Sequence, residues 1–151
     1  MSAPMNAPMN ANGGALGRAE IEAAIPHRAP FLLLDRVAEI GADWLEARMP
    51  VDGRTVQPDR ILHGGASVAL AETLGSVGGS MCVDRERFQV VGQEINANHL
   101  RPATGGHVTG RATPIHLGRR SQVWNIEITD DRKRLVCVSR LTIAVIERQR
   151  R

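Results

Sequence analysis

The stretch "ILHGGASVALAETLGSVGG", Ile61 to Gly79, has the length and apolar content of a helix and too many glycines for one. Gly64, Gly65, Gly75, Gly78 and Gly79 each cost a helix interior about 1 kcal/mol relative to alanine. Such a helix forms only if packing restores what propensity loses. Its glycines, together with Ala66, Ser67, Ala69, Ala71 and Ser76, let a curved sheet or a second helix approach very closely. A single carboxylate, Glu72, stands among these small and apolar neighbours. Burying it unpaired is costly and raises its pKa, so Glu72 either sits exposed at a helix edge or is held for chemistry. On the helix alone both readings stand.

The rest of the chain supplies the sheet. Downstream, "FQVVGQEINANHL", "GGHVTGRATPIHL", "SQVWNIEITD" and "KRLVCVSRLTIAVIE" read as strands separated by "RPATGG", "GRR" and "DDR", with β-branched residues recurring at period two. Upstream, "FLLLDRVAEI" and "WLEARMPV" flank the turn "GAD" and predict a hairpin, and "DGRTVQPDR" is the loop into the helix. A short amphipathic helix, "RAEIEAAI", is stopped by Pro26. Residues 1–17, with the near-duplicate "SAPMNAPMN", predict a flexible tail ahead of a single domain over 18–151. One long helix and about six antiparallel strands make an α+β protein in which the sheet covers the helix.

At 151 residues the chain has the size of one domain. Its 19 Lys and Arg against 16 Asp and Glu give a net charge of +3, scattered along the chain, which suits an anionic ligand better than nucleic acid. Aromatic residues are 3% with no Tyr, so the stacking platforms of single-strand binders are missing. Cys82 and Cys137 match no metal spacing and predict two buried free thiols in a reducing compartment. No apolar run approaches the roughly 20 residues of a membrane span, and the N-terminus lacks the pattern of a signal peptide. These features predict a cytoplasmic protein with no nucleic-acid or membrane partner.

From about Asp43 to Ile146, "MPVDGRTVQP", "LHGGASVALAETLGSVGG", "VVGQEINANHLR", "PIHLGRRSQVWNIEI" and "SRLTIAVI" occur in order. They resemble the hotdog acyl-CoA thioesterases of the 4-hydroxybenzoyl-CoA and PaaI-like group. Within it, the chain is most similar to the bacterial enzymes that hydrolyse 1,4-dihydroxy-2-naphthoyl-CoA or clear misloaded aryl carrier proteins. "IPHRAPFLLLDRV" instead resembles a segment of the β-hydroxyacyl-ACP dehydratases, whose "GHFPG"-type loop is absent here. The resemblance implies a long central helix wrapped by an antiparallel sheet. It also implies hydrolysis of an acyl thioester, on CoA or on a carrier protein, with no metal or redox cofactor.

Residue by residue, the resemblance makes Glu72 the nucleophile or general base. The Gly64 amide polarises the thioester carbonyl, His63 and Gln57 position it, and Ser76 holds water or substrate. Read singly, His63 is equally a helix cap and Gln57 a loop amide. "NHLRP" and "HLGRRS" bracket the CoA arm: Arg101, Arg119 and Arg120 with the Gly118 backbone meet phosphates, flanked by His116 and Ser121, while Gly92 and His99 line the pantetheine or acyl channel. A solvated hairpin turn would also carry "GRR". Helix geometry adds a constraint of its own. Glu72 lies nine residues after His63, about 13 Å along a helix, so one chain cannot bring both to a single carbonyl. The site is then shared across a two-fold axis between antiparallel helices. The expected assembly is a homodimer with shared sites, and by resemblance a dimer of dimers. Two rivals remain: a hydroxyacyl thioester dehydratase, and a non-catalytic acyl-CoA or carrier-protein binding module that would keep "HLGRR" and could dispense with Glu72.

Overall fold

A helix that touches five strands of one sheet forces that sheet to curve, because five strands span about 19 Å and a helix is only 10–12 Å wide. The computed structural model of this chain, which describes residues 36–40 by their backbone and residues 44–149 in full, has this form. Helix α1 (Gly64–Met81) packs against β2 (Leu45–Pro50), β3 (Phe88–His99), β4 (His107–Leu117), β5 (Ser121–Asp130) and β6 (Leu135–Glu147). With β1 (Arg36–Ile40) these strands form one six-stranded sheet in the order β1-β2-β4-β5-β6-β3, every pair antiparallel. This is the hotdog arrangement expected above.

The β1–β2 hairpin forms as predicted where the chain is described. The tail, the helix at "RAEIEAAI" and the start of "FLLLDRVAEI" lie outside the described residues. Along β5, Gln122, Trp124, Ile126 and Ile128 point inward at period two. Their partners across the core are Leu70, Leu74 and Val77 of α1 and Leu141 and Ile143 of β6.

The helix glycines are used for close approach. A Cβ on Gly75 would fall 2.5 Å from Leu141 Cδ2, and one on Gly78 would fall 2.9 Å from two ring carbons of Trp124. Gly110 on β4 does the same from the sheet side, beneath Leu70 and Leu74. The Trp124 indole donates to Gln122 Oε1 (3.0 Å), and the Gln122 amide donates to the Gly79 carbonyl (3.3 Å). This buried pair ties the last turn of α1 to the sheet.

The helix starts at Gly64 with His63 as its cap, as the sequence reading places it, and runs two residues past Gly79 to Met81. Ile61 and Leu62 are drawn into the preceding loop, where Leu62 bridges Val56 and its N–H donates to the Ala103 carbonyl (2.7 Å). Both cysteines are free, but only Cys137 is buried. Cys82 caps the helix at its C-terminus half-buried, and burial pushes its thiol up to about 11. No described helix is long and apolar enough to cross a membrane.

Candidate active site

The loop before α1 builds the helix N-terminus. His63 N–H donates to the Thr55 carbonyl (2.8 Å) and Gln57 N–H to the Ile61 carbonyl (2.9 Å), closing a small hairpin around Arg60, whose φ is +61°. Gln57 Oε1 accepts from the Asp59 N–H (2.8 Å), so this side chain does serve its loop, while its amide nitrogen has no partner among the described residues.

His63 is the N-cap. Its Nδ1 accepts from the Gly65 N–H at 2.8 Å, which in the neutral ring leaves the proton on Nε2, directed away from the helix. Its carbonyl takes the N–H groups of Ala66 (3.0 Å) and Ser67 (3.2 Å). Of the first-turn amides, the Gly64 N–H is thereby left without a partner among the described residues. It lies at the positive end of an 18-residue helix, where a developing oxyanion is stabilised.

The His99 ring, at the end of β3, lies directly over Gly64, whose missing Cβ would fall 2.8 Å from Nε2. Beside it is a cavity of about 310 Å³ lined by Ile61, Leu62, Ser67, His99, Arg101 and Val136.

Glu72 occupies a different cavity of similar volume, about 310 Å³, with Ser76, Val77, Phe88, Val90 and Arg148 among its walls. The side chain is half-buried, and burial raises its carboxyl above the ordinary value of 4.5 while a hydrogen bond from Ser76 pulls it partly back. The carboxylate lies against the Cα of Gly92, and any β-carbon there would collide with Glu72 Oε1. β3 bulges at this point, its register shifting between Gly92 and Glu94. Gly92 therefore makes room for the acid.

Within one chain the predicted residues thus fall into two groups. Gly64, His63, His99 and Arg101 gather at the N-terminus of α1, and Glu72, Ser76 and Gly92 lie about 12 Å further along it. The two expected CoA arms also separate. His99 is opposite Cys137, itself opposite Ile128, at one end of the sheet; Ser121 is opposite Ala144, itself opposite Val91, at the other. Seven residues along β5 and β6, about 23 Å, lie between these rows. Arg119 and Arg120 are exposed on the tight β4–β5 turn, closed by the Gly118 N–H to the Ser121 carbonyl (2.9 Å), and the His116 ring packs on Gly118.

Sequence reasoning missed the far wall of the Glu72 cavity: Ser80, Val83, Arg85, Phe88, Val90 and Arg148. Ser80 was within reach, since 72, 76 and 80 share a helix face. Arg148 was not, because only the β3–β6 register brings it there, with Phe88 opposite Glu147.

The sequence pattern of the thioesterase superfamily matches residues 60–137. The 1,4-dihydroxy-2-naphthoyl-CoA hydrolase of Escherichia coli is 59% identical over 111 residues, 74% of this chain and 81% of that protein. The proofreading thioesterase EntH of Cronobacter sakazakii is 53% identical over 107 residues, 71% of this chain and 77% of that one. The crystal structure of a thioesterase from Haemophilus influenzae superposes with a TM-score of 0.82 at 51% identity, covering 88% of this chain and 92% of its own.

Proposed function

This chain belongs to the thioesterase superfamily and hydrolyses acyl-CoA thioesters; from that premise we propose that its active site is completed by two copies, one supplying Glu72 and the other the Gly64 amide. The observation that carries this reading is the division of the site residues between two cavities on one helix. Neither cavity alone holds both an acid and an oxyanion donor.

The free edge of β3 supports the same arrangement. This strand is twelve residues long, pairs only with β6 among the described residues, and is largely exposed, Val91 included. Such an edge invites a further strand. Gly92 marks Glu72 and His99 marks Gly64. A two-fold axis between Ile95 and Asn96 would set Gly92 opposite the second copy's His99, and with it the acid of one copy beside the open amide of the other.

In this site the thioester carbonyl accepts from the Gly64 N–H, steadied by His63 and the free amide of Gln57. The ionised Glu72 carboxylate takes a proton from water as that water adds to the carbonyl carbon, or adds there itself to give an acyl-glutamyl anhydride that water then hydrolyses to the free acid and Glu72. The tetrahedral oxyanion collapses and the C–S bond breaks to release CoA thiolate. Burial raises the carboxyl above its ordinary value, so the ionised Glu72 is a stronger base than a solvent-exposed glutamate. The acyl group extends into the Glu72 cavity, and an aromatic acyl group is favoured by the Escherichia coli relative. Arg101 on one copy and Arg119 and Arg120 on the other hold the CoA phosphates.

Glu72→Gln tests the reading. It keeps size and removes charge, so kcat should fall by about 10²- to 10⁴-fold while substrate affinity is kept and the thermal midpoint is not lowered. A well-folded variant hydrolysing acyl-CoA at the wild-type rate would leave acyl-thioester binding without Glu72 chemistry as the better account.

A further inference from the structure

The Glu72 cavity runs along α1 away from the acid, past Ser76 and Ser80, each one turn further on. Val77, Val83, Phe88 and Val90 form its apolar wall, and Thr73, Ser76, Ser80 and Gln89 line the rest. Its far end is not. Arg85 and Arg148 stand there, and neither side chain makes an ion pair with any described residue.

Arg148 is held in place by its own backbone and Nε. Its N–H donates to the Arg87 carbonyl (2.8 Å), and Nε donates to the carbonyls of Arg85 (2.9 Å) and Phe88 (3.1 Å). These bonds fix the guanidinium while leaving its terminal NH₂ groups uncommitted among the described residues. The Ser80 hydroxyl donates to the Val77 carbonyl (2.8 Å), so toward the cavity it presents lone pairs. A slot with one apolar wall, the Glu72 carboxylate at one end and two cations without carboxylate partners at the other fits an acyl group that has an apolar face and an acidic tip.

We propose that this enzyme selects acyl thioesters whose acyl group ends in a distal carboxylate, which Arg85 and Arg148 bind. The proposal rests on reading the Glu72 cavity as the acyl pocket. It adds a substrate class and two specificity residues. Arginine pairs with a carboxylate through paired N–H donors, and a partly exposed pair of this kind contributes about a tenfold preference.

The test uses two non-hydrolysable CoA thioethers, 2-naphthacyl-CoA and its 6-carboxy derivative, with Kd measured on the wild-type protein and on Arg85→Gln/Arg148→Gln. The wild-type protein should bind the carboxylated analogue about tenfold more tightly, the preference should shrink as salt is raised, and the double variant should bind both equally. Arg85→Gln alone, whose lost side chain makes no hydrogen bond in the described structure, guards against misfolding of the double variant and should remove a large part of the preference. Equal binding of the two analogues by the wild-type protein, or a preference that survives loss of both arginines, overturns the proposal. Binding does not require the chemistry of Glu72, so a Glu72→Gln protein that keeps the preference separates this inference from the catalytic reading.

Discussion

The two ends of α1 use the same residue type for opposite purposes. At the first turn Gly64 and Gly65 keep the backbone open: one amide is capped by His63 Nδ1 and the other has no partner among the described residues. At the last turns Gly75, Gly78 and Gly79 close the backbone down, under Leu141, Trp124 and Gln122, and even the Gly79 carbonyl is taken by a buried side chain. Glycine spends helix propensity at both ends. At one end the proposed return is chemistry, and at the other it is packing.

The contrast can be broken first at Gly64. Proline is tolerated at the first helical position because its missing N–H would have had no helical partner. Gly64→Pro deletes the proposed oxyanion donor, and Gly64→Ala keeps it while adding the same crowding against His99. Relative to Gly64→Ala, Gly64→Pro should lose about 10²- to 10³-fold in kcat with similar thermal midpoints. Equal rates for the two would remove the amide from the mechanism.

At the other end the expected effect is on stability and is smaller. Gly78→Ala recovers about 1 kcal/mol of helix propensity but drives a methyl into the rigid Trp124 ring, an overpacking cost of about 1–3 kcal/mol. The net loss should lower the thermal midpoint by a few degrees and leave kcat near the wild-type value. A Gly78→Ala protein that melts higher than wild type would mean that the sheet does not press on the helix there.

The smallest effect belongs to Glu72 itself. Its folded carboxyl binds a proton more tightly than the unfolded chain does, so the ionised side chain weighs against the fold at neutral pH. That penalty is absent below the ordinary value of 4.5 and sets in as pH rises through the higher folded value. Glu72→Gln should therefore melt slightly above wild type at neutral pH, with the difference vanishing toward pH 4. A difference independent of pH would show that burial does not burden this acid.

Much of this architecture was legible in the residues. Strand β5 was legible because Trp124, Ile126 and Ile128 recur at period two between "GRR" and "DDR". The glycines of α1 announced a sheet in close contact, and His63 announced a cap. Three features were not legible, each for a long-range reason. Ile61 and Leu62 extend the apolar run ahead of the cap without showing their partner, since the bridge that joins Leu62 to Val56 is not visible in local pattern. The arms around Arg101 and around Arg119 and Arg120 look like two sides of one clamp in sequence, but strand register sets them at opposite ends of the sheet. Arg148 reaches the Glu72 cavity only because the C-terminal end of β6 pairs with the start of β3. Local pattern names elements; which ends meet is decided by pairing.

That separation makes a shared site the central claim, and subunit mixing tests it most directly. Gly64→Pro and Glu72→Gln proteins, each nearly inactive, are mixed in equal amounts under conditions in which subunits exchange. With random pairing half the dimers are mixed, and each mixed dimer carries one intact site of two, so activity should recover to about one quarter of the wild-type value. A mixture that has demonstrably exchanged and remains as inactive as its parents would contradict the account and place Glu72 and Gly64 chemistry within a single chain.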